Sequence, residues 1–180
     1  MAVALAVKKW TLAELHRLPE DGNKYELVRG QLFVTPPPTD EHETIAARLA
    51  AILTPYVRDQ GLGLVYRPKA VMRFRGSEVE PDLMVRREHP DRRGNDSDWT
   101  RAPIPILVVE IASPHTRRRD REAKRELYHE AGVPEYWIID PETREVIVIC
   151  QGSQRVEAER VTWAPSGATA PLTIDVAELF

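Results

Sequence analysis

Two acidic residues stand in segments that otherwise read as buried strand. Glu110 closes the run IPILVVEI over residues 104–111, which is nearly all apolar. An ionised carboxylate there is costly unless it is paired or holds a metal. The bland alternative ends the strand at Val109 and leaves Glu110 at a solvent edge. Asp82 follows Glu80 and Pro81 and precedes Leu83, Met84 and Val85. Pro81 cannot donate to a ladder, so the segment suits a strand edge or bulge that re-aims a side chain. A plain Pro–Asp turn is the competing reading. Two acids at the ends of neighbouring strands can share a hard divalent cation such as Mg²⁺, which keeps several waters and accepts phosphate oxygens. A lysine close by can orient water or stabilise charge on phosphorus. The chain has few lysines (8, 9, 24, 69 and 124), so the position of each carries weight. Lys124 follows the Glu110 strand. With Asp120 it also forms an i,i+4 pair of the kind that usually lies solvated on a surface.

Several elements must position these groups. Thr11 and Glu14 form a capping-box pattern ahead of a short helix over 11–18. Residues 25–34 read as a hairpin turning at Arg29–Gly30. After Pro36, Pro37 and Pro38, Thr39 or Asp40 caps a helix running to about Asp59. Strands follow over 64–74 and 79–85. A charged segment, 86–103, reads as a loop long enough to suspect function. The strand 104–111 is apolar on both faces. A helix over 120–131, stopped by Gly132 and Pro134, leads to strands 135–140, 145–150 and about 155–161. The tail LTIDVAELF is apolar enough to dock on the body. This order predicts an α/β protein with a mixed sheet flanked by helices.

Composition narrows the function. The chain of 180 residues has 25 Lys plus Arg against 28 Asp plus Glu, a net charge of -3, and 42% hydrophobic residues. That composition is soluble and globular, and excludes coating of nucleic acid by bulk charge. Cys150 is the lone cysteine, which rules out an intrachain disulfide and points to a reducing cytoplasm. No secretory leader or membrane span is expected. Ser113 and His115 lack a nucleophile elbow, and there is no Walker loop, dinucleotide fingerprint or HExxH.

EPDLMV, followed by ILVVEIASPHTRRRDREAKRELYHEAGVPEYWIIDPE, resembles the bacterial Uma-two-type family of restriction-endonuclease-like proteins, a branch of the PD-(D/E)XK nuclease superfamily. YELVRGQL and the proline stretch leading to Glu41–His42 fit the same pattern. The resemblance covers about residues 10–150 of what reads as one nuclease-like domain over 1–180, with 151–180 adding a strand and a tail. It implies a restriction-endonuclease-like core and metal-dependent phosphodiester hydrolysis. By position, Asp82 and Glu110 match the two motif acids, with the Ile111 carbonyl as a third ligand for Mg²⁺ or Mn²⁺. The superfamily lysine belongs two residues after the second acid, where this chain has Ala112. Lys124 matches the branch's lysine in an Asp-then-Lys helix and takes the third catalytic place, positioning water or stabilising the transition state. The amino-terminal acid stays open between Glu26 and Glu43, with His42 as another polar group. Glu80 and Asp120 are further accessory positions.

Arg117, Arg118, Arg119 and Arg121 cluster ahead of the Lys124 helix, where they either meet DNA phosphates or form a solvated turn. Arg86, Arg87, Arg92, Arg93 and Arg101 flank the long loop as a second candidate surface. Tyr136 and Trp137, adjacent on a strand, fill the core and the opposite face rather than stack on bases. The leading expectation is a Mg²⁺- or Mn²⁺-dependent endonuclease acting on DNA, as a homodimer so that two sites can cut both strands. Its rivals are a catalytically inactive nuclease-fold module binding nucleic acid or a protein partner, and a structural subunit whose acids bind metal for stability. The lysine reading further expects Lys124→Ala to abolish nicking and leave the melting temperature nearly unchanged.

Overall fold

The computed structural model describes residues 8–88, 102–113 and 120–180, the side chains of residues 120 and 121 excepted. Thr11 caps α1 (Leu12–Leu15) through the reciprocal bonds with Glu14, but the helix stops sooner than the leucine spacing suggested. β1 (Lys24–Val28) and β2 (Gln31–Thr35) pair antiparallel. They turn at Arg29 and Gly30, both at positive φ (51° and 83°), the backbone a two-residue hairpin turn requires. α2 (Asp40–Asp59) starts where Thr39 accepts the His42 N–H, and buries Ile45, Leu49, Leu53 and Val57 along one stripe.

Two expected strands divide. The 64–74 segment becomes β3 (Leu64–Tyr66) and β4 (Met72–Phe74), which join different sheets. The 79–85 segment is broken by Pro81 into the end of β5 (Ser77–Val79) and β6 (Leu83–Arg86). A residue without an N–H cannot carry the ladder across, so the chain changes sheet there. β7 (Leu107–Ile111) begins later than expected, after Pro103 and Pro105. A π-helical turn (Asp120–Lys124) runs into α3 (Arg125–Ala131), which Gly132 ends at φ 82°. β8 (Glu135–Asp140), β9 (Glu145–Cys150), β10 (Ser153–Glu157), β11 (Arg160–Trp163) and β12 (Leu172–Asp175) follow. The expected 155–161 strand is thus the end of β10 and the start of β11.

The main sheet has six strands in the order β10-β9-β8-β7-β6-β3. β7 and β8 are its parallel pair; the other neighbours run antiparallel, so the sheet is mixed as expected. A four-stranded sheet, β2-β1-β5-β4, and the β11–β12 pair complete the strands. The period of two along β7 and β8 splits the interior into two cores. Leu107, Val109, Ile111, Trp137 and Ile139 face α2 and the carboxyl-terminal segment, including Trp163, Ile174 and Leu179. Val108, Ala112, Tyr136 and Ile138 face α3 and the smaller sheet. Tyr136 and Trp137 therefore fill opposite cores, and the apolar tail docks as its sequence implied. Glu110, one residue from Val109, shares the second face with Val108. Among the described residues no helix is long and apolar enough to cross a membrane.

Candidate active site

The β6–β7 register pairs Leu83 with Val109, so one residue further along Asp82 stands opposite Glu110. The two acids meet beside the β5–β6 break, just before β6 and near the end of β7, both interior strands of the main sheet. Asp82 uses both oxygens. Oδ1 accepts from Lys24 Nζ at 2.9 Å. Oδ2 accepts from the Ile111 backbone N–H at 2.8 Å and lies 3.1 Å from His42 Nε2. Burial raises the Asp82 pKa, but Lys24 and His42 outweigh it and hold the carboxyl well below its usual range. Burial likewise pushes the Lys24 ammonium down, and the charges of Asp82, Glu26 and Glu110 carry it above its ordinary value. His42 is pulled down by burial and raised overall by its bond to Asp82.

Glu110 lies deeper. Its Oε1 accepts from Lys124 Nζ and from the Tyr128 hydroxyl, each at 2.6 Å. Lys124 Nζ also sits 2.9 Å from Glu26 Oε1, which in turn accepts the Glu80 N–H at 2.9 Å. Burial and the Glu110 charge push the Tyr128 hydroxyl well above its ordinary value. Lys124 is 0% exposed, so the solvated Asp120–Lys124 surface pair does not describe it. The expectation that Lys124→Ala leaves the melting temperature unchanged is overturned for the same reason. Removing this ammonium strands two buried carboxylates.

Among the described residues the cluster joins Glu26, Glu80, Asp82 and Glu110 to two ammonium groups, Lys24 and Lys124, and to His42. Burial raises the pKa of half-buried Glu80, Lys24 and Lys69 pull it down, and Glu26 and Asp82 push it up. Hard oxygen donors suit Mg²⁺ or Mn²⁺. The Ile111 carbonyl leaves its extended strand on the side of its own N–H, which is the Asp82 side. Among the described residues no three acid, histidine or cysteine side chains already form a ligand shell; the acids engage the protein's own cations instead. The donor chemistry therefore fits a divalent ion.

Of the residues singled out from sequence, Asp82, Glu110, Lys124, Glu26, His42 and Glu80 come together. Glu43 turns outward to Arg67 at 2.9 Å, with His42 Nδ1 3.6 Å away. The side chains of Asp120 and Arg121, and all of Arg117, Arg118, Arg119, Arg92, Arg93, Arg101 and His115, lie outside the described residues. Arg86 is no part of an exposed basic surface: it is buried, donates to the Val71 carbonyl and stacks over Tyr66. Arg87 donates to the Ser166 carbonyl.

Two site residues escaped the sequence reading. Lys24 shares a strand face with Glu26, so a period-two check on the rare lysines would have found it. Tyr128 falls one turn after Lys124 on the same helix face.

Comparison with curated proteins finds no match. A crystal structure described as "a putative nuclease belonging to DUF820", from Anabaena variabilis, superposes with a TM-score of 0.75 at 22% identity, covering 94% of this chain and 97% of that one. The likeness shows that the two chains share a fold, a mixed α/β sheet flanked by helices. The pattern of the Uma2 family, described as "Putative restriction endonuclease", matches residues 12–177. With nearly the whole chain matched, and the Asp82 of EPD standing opposite Glu110 across two neighbouring strands, this protein belongs to the Uma2 family.

Proposed function

We propose that the protein is a Mg²⁺- or Mn²⁺-dependent endonuclease that hydrolyses DNA phosphodiester bonds. The observation that carries this reading is the meeting of Asp82 and Glu110 across β6 and β7, each held by a lysine. Asp82, Glu110 and the Ile111 carbonyl are the groups to hold the ion. A divalent cation supplies Lewis acidity there, polarising the scissile phosphate and acidifying water.

The chain's own residues do the rest. Lys24, His42 and the Ile111 N–H keep Asp82 ionised and fix its plane. Lys124 and Tyr128 do the same for Glu110, and Lys124 ties it to Glu26. Arg117, Arg118, Arg119 and Arg121 are the proposed DNA phosphate contacts. Neutralising them should flatten the log K versus log salt slope by about 0.9 per lost contact. Paired cuts on a duplex call for a homodimer with two-fold symmetry.

Plasmid nicking combined with calorimetric metal titration tests the reading. Nicking that needs Mg²⁺ or Mn²⁺ and disappears in Asp82→Asn and Glu110→Gln supports it. DNA binding without metal or nicking supports the inactive-module reading, which Ala112 and the lysine-paired acids favour. Metal binding with no effect on DNA leaves a structural ion as the answer.

A further inference from the structure

The cluster holds two lysines that differ in what they have left to offer. An ammonium has three N–H donors. Lys124 spends its contacts on Glu110 and Glu26 inside a pocket closed by Tyr128, with 0% of its side chain exposed. No phosphate reaches it without unpacking α3 from β7. Lys24 lies at the start of β1 and is 18% exposed. Among the described residues it donates to the Asp82 Oδ1 at 2.9 Å and to the Glu80 carbonyl at 3.1 Å. That leaves one donor, on a side chain that still meets solvent. His42, also bound to Asp82, is 17% exposed, and the exposed Lys69 is near enough to act on Glu80.

We infer that Lys24 is the catalytic cation of this site, donating its third N–H to a non-bridging oxygen of the scissile phosphate, and that Lys124 is a positioning residue acting through Glu110. The inference rests on the endonuclease reading. Its physical basis is access and valence: an ammonium fixed by two acceptors is preorganised, and only the one reaching solvent can meet developing charge on phosphorus. A lysine suits this role as a compact point charge on a long stem.

The decisive comparison is made without cleavage, in EDTA, with Asp82→Asn as background. There, removing Lys24 leaves no unpaired carboxylate at position 82. Duplex DNA binding is followed by fluorescence anisotropy against salt. Asp82→Asn/Lys24→Met should bind several-fold more weakly than Asp82→Asn, with a log K versus log salt slope shallower by about 0.9. Asp82→Asn/Lys24→Arg should keep the slope, and Asp82→Asn/Lys124→Met should too. If the methionine variant does not fold, Lys24→Gln in the same background reads the same slope. With Mg²⁺, Lys24→Met alone should nick about 10²–10³-fold more slowly than wild type, the usual loss for one preorganised donor. Equal slopes for Asp82→Asn with and without Lys24→Met, in a protein whose wild type nicks DNA, overturn the Lys24 assignment and leave the nuclease reading standing. A wild type that neither binds nor nicks DNA removes both.

Discussion

Glu110 and Asp82 stand opposite each other on adjacent strands, and each is gripped by one lysine, yet their surroundings diverge. The Glu110 half is sealed: Lys124 and Glu26 are 0% exposed, and a tyrosine hydroxyl also donates to Glu110. The Asp82 half opens to solvent, with Lys24 and His42 partly exposed and a backbone N–H rather than a phenol as the neutral donor. The same charge chemistry therefore serves two ends. In the sealed half the pairing offsets desolvation and specifies how α3 seats on the sheet. In the open half the pairing holds an ionised carboxylate where a ligand can arrive. Burial sets the cost of breaking each contact, since an uncompensated charge is worst where water cannot reach it.

That contrast predicts a gradient. Lys124→Ala should be the most damaging change, costing about 3–5 kcal/mol by stranding Glu110 and Glu26. At about 2–4 °C per kcal/mol for a chain of this size, thermal melting should fall by roughly 6–20 °C. A melting temperature within a degree of wild type would erase the distinction between the two halves. Pairing Lys124→Met with Glu110→Gln should recover part of the loss, because both ends of one bond are then neutral.

Tyr128→Phe removes only the hydroxyl from the sealed half. Hydrogen bonds to charged groups are worth about 1.5–3 kcal/mol, and urea unfolding should show a loss in that range. A neutral result would mean that the 2.6 Å bond to Glu110 is replaced by water, and that the half is less sealed than its exposure implies.

The open half is best read by pH. The folded Asp82 pKa is depressed, so its contribution is present above about pH 4 and is lost as pH falls through the folded value. The folded His42 pKa is raised, so its contribution is full below about pH 6.5 and is lost as pH rises through the folded value. Both act together between those limits. The stability gap between wild type and Asp82→Asn should therefore be wider at pH 5.5 than at pH 8.5, and NMR titration should show the His42 pKa dropping in the variant. A His42 titration indifferent to Asp82→Asn would separate the two residues.

Arg29→Ala should have the smallest effect. Arg29 bridges Glu126 at 2.5 Å and Glu130 at 2.7 Å, tying the β1–β2 turn to α3. All three side chains are well exposed, and such pairs contribute about 0.2–1 kcal/mol. A loss as large as that of Lys124→Ala would show that exposure does not order these contacts.

The sequence by itself determined the α/β character, the carboxylates at 82 and 110, and the helix carrying Lys124, because these rest on local rules. Proline breaks a ladder, an acid in an apolar run demands a partner, and capping residues and glycine mark helix ends. The motif resemblance added the pairing of the two acids. What escaped local rules was everything set by which strand lies beside which. Pro81 was legible as an interruption, but not as the point where the chain leaves the smaller sheet for the main one. Glu26 and Glu43 both stayed candidates, with Glu26 the stronger, until β1 paired with β5 and carried Glu26 under Lys124, while the turn of α2 sent Glu43 outward to Arg67. Lys24 lies 58 residues from Asp82. Lys124 in sequence is one half of an ordinary i,i+4 pair, and only the packing of α3 on β7 makes it a buried cation. Burial belongs to the assembled sheet and helices, and no window of residues around Lys24 or Lys124 contains it.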